Sequence, residues 1–239
     1  MKTKISKKIS ERLGSRVIYL SYPLSNKTPL YGNGDGIDIS RERNMDEGHS
    51  CNTMKYSFPN HAGTHIDAPR HFNSKGATLD KYPAEFWFFS QIEMIDLSGK
   101  IDDLHLVKPE ELPTPSNRNA ELILLKTGYS TKRGTECYTL SPPGVSAEVA
   151  DWIRESYTRV RCLGMDIISV SSYGKREEGR LSHHAFLNPE KGEPILLIED
   201  MDLSFKKTPK YVMVSPLIVE NSDGSPCMVL GFYNDFEEL

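Results

Sequence analysis

The chain has 239 residues, a net charge of −4 and an isoelectric point near 6.0. This length can bury one sizeable core, and the charge excludes the basic surface typical of nucleic-acid-binding proteins. The sequence contains no apolar run long enough to span a membrane, and its four cysteines form neither a CxxC pair nor a disulfide framework. These features predict a single cytoplasmic domain that acts on a small molecule, without nucleic-acid or membrane partners.

Residues 1–16 form a basic extension, in which six lysines and arginines accompany one acidic residue, Glu11. Ile5, Ile9 and Leu13 recur every fourth residue, which is typical of one stripe of a short helix. We expect this helix to pack on the domain or on a second subunit; the alternative is a helix on a membrane surface. The domain itself is assigned to residues 17–239.

The first part of the domain alternates short apolar runs with loops. We predict strands at residues 17–22 and 54–58, and a loop between them at residues 23–50, which are rich in Gly, Asn, Asp and Ser. A loop of this length in a compact domain is often functional, as a lid or a subunit contact, although disorder is an equal alternative.

Histidines concentrate in the segment that follows, which reads His-Ala-Gly-Thr-His-Ile-Asp-Ala-Pro-Arg-His from residue 61 to residue 71. The chain has seven histidines, so this eleven-residue window would hold roughly a third of one by chance, yet it holds three and an aspartate. Imidazole and carboxylate ligands suit zinc, manganese or ferrous iron. The window therefore predicts a metal site formed by its three histidines, His61, His65 and His71, and by Asp67; the alternative is separate histidines on a loop.

The metal window is predicted to be extended or turning rather than helical, because Gly63, Thr64, Ile66 and Pro69 all disfavour a helix. In an extended chain alternate side chains share a face, which would include those of His61, Gly63, His65, Asp67 and His71. We interpret Gly63 as a side-chain-free gap for an ion and its water.

An aromatic segment at residues 82–89 comes next, and two functions are open for it. The segment contains Tyr82, Phe86, Trp87, Phe88 and Phe89. Packing in the core or at a subunit interface is one interpretation, and a wall of an aromatic-substrate pocket is the other.

The rest of the chain predicts an α/β fold with a mixed sheet. Strands are expected at residues 92–97, 122–127, 160–170, 195–198, 211–219 and 228–232, and residues 99–120 are expected to form a connection with at most a short helix. Ser146 can cap a helix in which Val149, Trp152, Ile153 and Tyr157 form one buried stripe. The order of strand, helix and strand between residues 122 and 170 is a βαβ signal.

Two further candidate groups stand late in the chain. His183 and His184 follow a polar segment, and Glu199 ends the apolar strand at residues 195–198. A buried carboxylate needs a partner or an ion. The residues alone leave Glu199 open between a salt-bridged strand end and a metal ligand.

The window has the form HxGTHxDxPxHF and resembles the signature of the metal-dependent cyclase family, which includes bacterial kynurenine formamidases and isatin hydrolases. Weaker resemblance covers residues 17–237, including Leu20-Ser21-Tyr22-Pro23-Leu24, Gly164-Met165-Asp166 and Asp223-Gly224-Ser225-Pro226. The resemblance implies a single compact β/β/α domain of the swivelling type that assembles as a homodimer or homotetramer.

The resemblance also implies roles for the candidate residues. His61, His65 and Asp67 would bind a first divalent metal, Zn or Mn, and His183 and Glu199 would hold a second, with His184 as the alternative to His183. His71 would be the general acid and base, or else a metal ligand. One metal per chain would suffice to activate water, and two could clamp a tetrahedral intermediate.

The predicted function is hydrolysis of a C–N bond in a small aromatic amide, as in the arylformamidase reaction of kynurenine formamidases. An isatin-hydrolase-like lactam opening, or a hydrolase or cyclase of another metabolite, is the alternative. A non-catalytic metal-binding relative is the third hypothesis; such a protein would be expected to have lost His71 or Glu199, and both are present.

Overall fold

The computed structural model describes residues 14–190 and 192–234. The helix predicted for the N-terminal extension lies outside the described residues. Ser15 and Arg16, which we assigned to the extension, instead begin the first strand.

The secondary structure consists of short strands, three α-helices and several single turns of 3-10 helix within the described ranges. The strands are β1 Ser15–Tyr19, β2 Asp38–Arg43, β3 Thr53–Ser57, β4 His65–Asp67, β5 Phe88–Phe89, β6 Ile92–Asp96, β7 Leu106–Val107, β8 Leu122–Lys126, β9 Gly144–Val145, β10 Cys162–Met165, β11 Leu196–Glu199, β12 Tyr211–Pro216 and β13 Gly224–Asn234. The α-helices are α1 Glu136–Leu140, α2 Ala147–Ser156 and α3 Arg176–Leu187. The 3-10 turns are Tyr31–Asn33, Met45–Glu47, Pro69–His71, Leu79–Lys81, Ala84–Trp87, Pro109–Glu111 and Tyr129–Lys132.

A nine-stranded mixed sheet organises the domain, with the strand order β5-β12-β13-β4-β11-β10-β8-β6 and β1 added beside β13. The strands β6, β8, β10 and β11 run parallel, whereas β4, β5, β12 and β1 pair antiparallel with their neighbours. The predicted α/β class with a mixed sheet is confirmed. The βαβ prediction is also confirmed, because α2 lies between the parallel neighbours β8 and β10 along the chain.

Side chains from the two faces of the sheet enter two separate cores. Leu163 and Leu197 pack towards the helices together with Val149 and Ile153 of α2. On the other face, Leu124 of β8 shares a core with residues of the distant strands β12 and β13, such as Val214 and Val229. The sheet therefore curls around this second core, and α2 and α3 cover its outer face.

Two of the predicted irregular segments contain strands. Within residues 23–50, β2 pairs with β3 in a ribbon separate from the main sheet, and within residues 99–120, β7 pairs with β9. The side chains of β2 are almost all exposed, so this strand lacks the apolar alternation by which strands are recognised in sequence. Both loop predictions were wrong at these points.

The polar segment before the histidine pair is helical. It forms the first half of α3, which begins at Arg176, so His183 lies in the second half of this helix. The first turns of α3 read Arg-Glu-Glu-Gly-Arg, and the glycine and charges conceal the helix in the sequence. Gly179 is required at this point because a Cβ there would lie 2.3 Å from the Oγ of Ser171.

The packing between β4 and β13 gives a test of the fold. A Cβ on Gly224 would lie 2.4 Å from the ring of His61 and 2.9 Å from the backbone oxygen of Ile66. We expect Gly224→Ala to lower the free energy of unfolding by about 1–3 kcal/mol, because the strand or the ring must shift. Gly34→Ala is the control, because Gly34 has a φ of −56° and a Cβ there would make only ordinary contacts. Equal urea midpoints for both variants would contradict this packing.

Candidate metal and active site

Two adjacent strands bring the central side chains together. His65 on β4 pairs in register with Glu199 on β11, and Asp67 lies on the same face of β4, two residues after His65. The Nε2 atom of His65 lies 3.4 Å from Oδ1 of Asp67 and 3.3 Å from Oε2 of Glu199. All three side chains are buried. The expectation of one shared face is confirmed for His65 and Asp67 on β4, whereas His61 lies in a turn before the strand and His71 in the 3-10 turn Pro69–His71, so the face does not extend over the whole window.

His61 reaches the same carboxylate from the turn before β4. Its Nδ1 atom lies 2.8 Å from Oδ1 of Asp67, and its Nε2 atom lies 3.1 Å from Oδ2 of Asp223. The second oxygen of Asp67 faces α3, where Nε2 of His183 lies 3.7 Å away. Asp67 therefore stands between His61 and His65 on one side and His183 on the other.

The structure separates the two histidines of α3. The side chain of His183 is 8% exposed, and its Nε2 atom lies 3.8 Å from Oε1 of Glu199. His184 is exposed on the neighbouring helix face, and its ring packs against Phe72. Only His183 of the pair faces the cluster of carboxylates.

Backbone carbonyls orient the imidazoles of His65 and His183. Nδ1 of His65 lies 2.8 Å from the carbonyl oxygen of Gly63, and Nδ1 of His183 lies 3.0 Å from that of Gly179. When each ring is neutral, an N–H donated to the carbonyl leaves the lone pair on Nε2, facing the carboxylates, an arrangement typical of metal-ligating histidines.

The interpretation of Gly63 as a gap was wrong. A Cβ on this residue would lie 2.8 Å from the side chain of Leu24, and the residue has a φ of +63°, a backbone conformation that favours glycine. Gly63 thus allows the turn that points its carbonyl at His65.

Glu199 is fixed by the segment that follows β10. Its Oε1 atom accepts a hydrogen bond of 2.6 Å from the backbone N–H of Val170 and lies 3.3 Å from the hydroxyl of Ser169. These donors leave Oε2 directed towards His65. Glu199 is therefore held at the cluster by hydrogen bonds, and no lysine or arginine within residues 14–190 and 192–234 pairs with it.

The buried carboxylates of the cluster have no permanent cation beside them, and they therefore raise the pKa of the neighbouring histidines. Burial alone would lower the pKa of His65, but the hydrogen bonds to Asp67 and Glu199 raise it well above its usual value. The pKa values of His61 and His183 are also raised, because contacts with Asp67 outweigh burial. Burial would raise the pKa of Asp67, yet its histidine partners hold it well below its usual range. Protons on these histidines supply the positive charge that the buried carboxylates require.

His71 differs from the other three histidines of the cluster. Its Nδ1 atom lies 3.0 Å from Oδ2 of Asp223, and its ring lies 4.0 Å from that of His61 between centroids. Burial lowers the pKa of His71, and the neighbouring rings of His61 and His183 lower it further. His71 is therefore neutral near pH 7 and has one ring nitrogen held by a carboxylate.

The donor set fits a divalent transition metal. Nitrogen and oxygen ligands at 2.0–2.1 Å in a tetrahedron lie ~3.3 Å apart. Oδ1 of Asp67 lies 2.8 Å from Nδ1 of His61 and 3.4 Å from Nε2 of His65, so small shifts would accommodate an ion. These three residues bring one ligand atom each within 4.8 Å of one another, and so do Asp67, His71 and His183. Imidazole and carboxylate donors in this ratio suit zinc, manganese or iron better than calcium.

The cluster forms the floor of a cavity of about 340 Å³. Pro29 and Tyr31 from the 23–50 segment, together with Phe72 and Ile168, line its sides. The ring of Phe72 stacks on that of His183 at 4.5 Å. The 23–50 segment thus contributes a wall of the site, as a functional loop would.

The aromatic segment at residues 82–89 does not reach this cavity. Trp87 and Phe89 are buried in the core inside the curled sheet, and Tyr82 and Phe86 pack against that core. The packing interpretation of this segment is correct, and the pocket-wall interpretation is wrong.

Sequence reasoning missed two groups of residues at the site. Asp223, which contacts both His61 and His71, was recognised only as part of a motif, although an aspartate before a strand glycine opposite the histidine window was a usable signal. Arg176 and Arg180 also line the cavity, but they lie on a helix that was not predicted at their positions.

Relatives of known name were found by sequence. The chain is 26% identical over 213 residues to the kynurenine formamidase of Bacillus cereus, with 89% of this chain and 95% of that protein covered. It is 25% identical over 230 residues to cyclase-like protein 2 of Oryza sativa subsp. japonica, of which 78% is covered.

Solved structures show the same fold. Isatin hydrolase A from Labrenzia aggregata, bound to benzyl benzoate, superposes with a TM-score of 0.77 at 20% identity, covering 97% of this chain and 100% of that one. A structure described as a potential metal-dependent hydrolase with cyclase activity superposes with a TM-score of 0.71, also at 20% identity, covering 93% of this chain and all of that one. The model of the putative cyclase family matches residues 18–172, which is more than half of the sequence and includes the histidine window. The chain therefore belongs to the putative cyclase family.

Proposed function

We propose that the protein is a metal-dependent hydrolase that cleaves a C–N bond, other than a peptide bond, in a small aromatic amide. One observation carries the proposal: three histidines and two carboxylates converge on the floor of a cavity, with a fourth, neutral histidine beside them. Relatives named kynurenine formamidase at 25–26% identity and membership of the cyclase family support the same chemistry.

The metal ligands are assigned from the cluster. His61, His65 and Asp67 would hold one divalent ion, and His183 and Glu199, with the second oxygen of Asp67, would hold another. We propose zinc or manganese, with one or two ions per chain. Such an ion, when bound, lowers the pKa of water towards neutrality and polarises a carbonyl.

His71 is assigned as the general acid and base. Asp223 accepts the Nδ1–H hydrogen bond and so fixes the ring, and the other ring nitrogen has no hydrogen-bond partner among the described residues. As the neutral imidazole, His71 can take a proton from the attacking water, and it can then return that proton to the leaving nitrogen. The lowered pKa of His71 favours this role, because the ring is then available as a base near neutral pH. A metal ligand is the alternative, since His71 also lies close to Asp67 and His183.

The cavity suits a small substrate with an aromatic ring. A volume of about 340 Å³ is at the lower end of the usual range for ligand sites, and Tyr31 and Phe72 provide aromatic walls. An aryl formamide such as N-formylkynurenine is our leading substrate. Lactam opening as in isatin hydrolases is the alternative, because the structural neighbours include such enzymes.

The first prediction from the proposed function is chelator-sensitive turnover. Purified protein loaded with zinc or manganese should hydrolyse at least one member of a panel of N-formylkynurenine, isatin and aryl formamides or esters. Removal of the metal should abolish this activity and re-addition should restore it. No chelator-sensitive turnover across the panel would favour the non-catalytic metal-binding hypothesis.

The same assay tests His71. His71→Gln should lower kcat by about 100-fold or more while metal content is unchanged, because a general acid-base group contributes on that scale.

The second prediction concerns the number of ions. Glu199→Gln should reduce the metal content of the protein by about one ion per chain if Glu199 holds a second ion. Glu111→Gln is the control, because Glu111 pairs with His105 away from the cluster. Elemental analysis of both variants measures the stoichiometry, and an unchanged metal content in Glu199→Gln would return Glu199 to a structural role.

The third prediction follows from the raised pKa values of the histidines. Because His61, His65 and His183 bind protons more tightly than usual in the metal-free protein, the metal must displace those protons. Metal affinity should therefore increase as the pH rises from 6 to 8, with protons released on binding. Titration calorimetry in buffers of different ionisation enthalpy counts these protons, and His105→Gln should not change the number. A pH-independent affinity would contradict the ligand assignment.

We also propose that the protein is a cytoplasmic homodimer or homotetramer. All four cysteines are free, as expected in a reducing compartment.

An apolar groove between the β2–β3 ribbon and the main sheet is flanked by the exposed side chains of Tyr19, Met54, Tyr56 and Leu217. Monomers rarely expose a continuous apolar surface of this kind, and a second copy of the chain would cover it. No described helix is long and apolar enough to cross a membrane.

The fourth prediction tests this assembly. Light scattering after size-exclusion chromatography should give a mass of two or four chains, and Tyr56→Glu should shift it to one chain, because a charge would be buried at the interface. Glu155→Gln, on α2 and away from the groove, should leave the mass unchanged. A wild-type protein that runs as a monomer at micromolar concentration would contradict the proposal.

A further inference from the structure

Two arginines at the cavity are not used by the proposed chemistry. Arg176 and Arg180 line the same cavity as the histidine cluster. They lie four residues apart on α3, and His183 follows three residues later, so the three side chains share one stripe of the helix. With a rise of 1.5 Å per residue, the two arginines are displaced along the helix by ~4–10 Å from His183. The cavity therefore has an acid-and-imidazole floor and a guanidinium group at its rim.

The charges of these arginines are poorly balanced within the protein. Arg176 has no carboxylate within 4 Å in the described parts of the chain, and its guanidinium lies 4.2 Å from the ring centroid of Tyr173. Arg180 meets Glu177 at 3.4 Å, but both side chains are largely exposed, so this pair contributes little. Helix stability does not explain Arg176 either, because a cation in the first turn of a helix is opposed by the helix dipole.

Aromatic contacts hold Arg176 against the cavity wall. Tyr173, on which Arg176 stacks, meets Tyr31 edge to face at 5.2 Å between centroids. Gly32 allows this contact, because a Cβ there would lie 2.2 Å from the ring of Tyr173. The guanidinium of Arg176 thus packs, through Tyr173, against the cavity wall to which Tyr31 belongs.

From this placement we infer that Arg176 and Arg180 bind a carboxylate of the substrate that is separate from the scissile amide. The inference rests on the proposed function and narrows it to small aromatic amides that carry an acidic side chain. A planar guanidinium matches a carboxylate through two parallel hydrogen bonds, and a neutral lactam has no group to fill this position. Substrates of the N-formylkynurenine type therefore fit the cavity better than isatin does.

Matched substrates separate recognition from catalysis. The pair is the desamino analogue of N-formylkynurenine, which keeps the carboxylate, and the same aryl formamide with a methyl group in place of that carboxylate. In Arg176→Gln/Arg180→Gln, kcat/KM for the acidic substrate should fall by about 10–100-fold, mainly through KM, because a charged hydrogen bond is lost. The kcat/KM for the uncharged substrate should stay within about twofold of the wild-type value. Arg159→Gln removes another exposed arginine, one paired with Glu121 away from the cavity, and should change neither value.

Two results would overturn the inference. An equal fall on both substrates would mean that the arginines support the structure of the cavity, and no fall on either would mean that they contact no substrate. Arg176→Lys should restore only part of the affinity for the acidic substrate, measured as KM. Lysine keeps the positive charge but cannot form the paired hydrogen bonds.

A binding measurement keeps this test independent of turnover. Titration calorimetry should show that the double variant binds kynurenine at least about tenfold more weakly than the wild type, while binding of the same aryl amine without the amino-acid side chain is unchanged. If no amide is hydrolysed but this binding difference is found, the hydrolase proposal fails and the anion site stands. If both formamides are hydrolysed and the arginine variants bind kynurenine as the wild type does, the anion site fails and the hydrolase proposal stands.

Discussion

The arrangement of the site depends on one buried carboxylate, that of Asp67. Its two oxygens face imidazoles from three different parts of the chain: His61 in a turn, His65 on the same strand and His183 on a helix more than a hundred residues later. A charge buried to this extent would be strongly unfavourable without compensating partners. The positions of the turn before β4, of β11 and of α3 are therefore linked through this one group.

The surrounding fold supplies the rigidity that such a convergence requires. β4 is only three residues long, but it lies between β11 and β13 and forms backbone pairs with both. Close approaches that only glycine permits, at Gly179 against Ser171 and at Gly224 against His61, bring α3 and the start of β13 near the cluster. His183 on α3 and Asp223, directly before β13, can therefore reach it. Sites held by strands and helices keep their ligands more precisely than sites on loops.

A second layer of buried polar contacts stands directly behind the site. Asp200, which follows Glu199, forms a paired interaction with Arg133, and its backbone carbonyl accepts a hydrogen bond from Thr64, which precedes His65. The Arg133 guanidinium also lies 3.9 Å from the ring centroid of Tyr22. These contacts connect the residues next to two proposed ligands, so the spacing between β4 and β11 is fixed on both sides of the sheet.

The sequence by itself determined the metal window, the α/β class and most strands of the main sheet, because these depend on local composition and on runs of buried apolar residues. A carboxylate that ends an apolar strand needs a partner, so the residues alone marked Glu199 but left it open between a salt-bridged strand end and a metal ligand. The family resemblance favoured the ligand. Only the tertiary structure decided that His183 rather than His184 faces the cluster, that Asp223 holds His61 and His71, and that Arg176 and Arg180 lie at the rim. Each of these contacts follows from packing between segments that lie far apart in the chain. Local patterns also fail where a strand is exposed and polar, as in β2, or where a helix begins with charged residues and a glycine, as in α3.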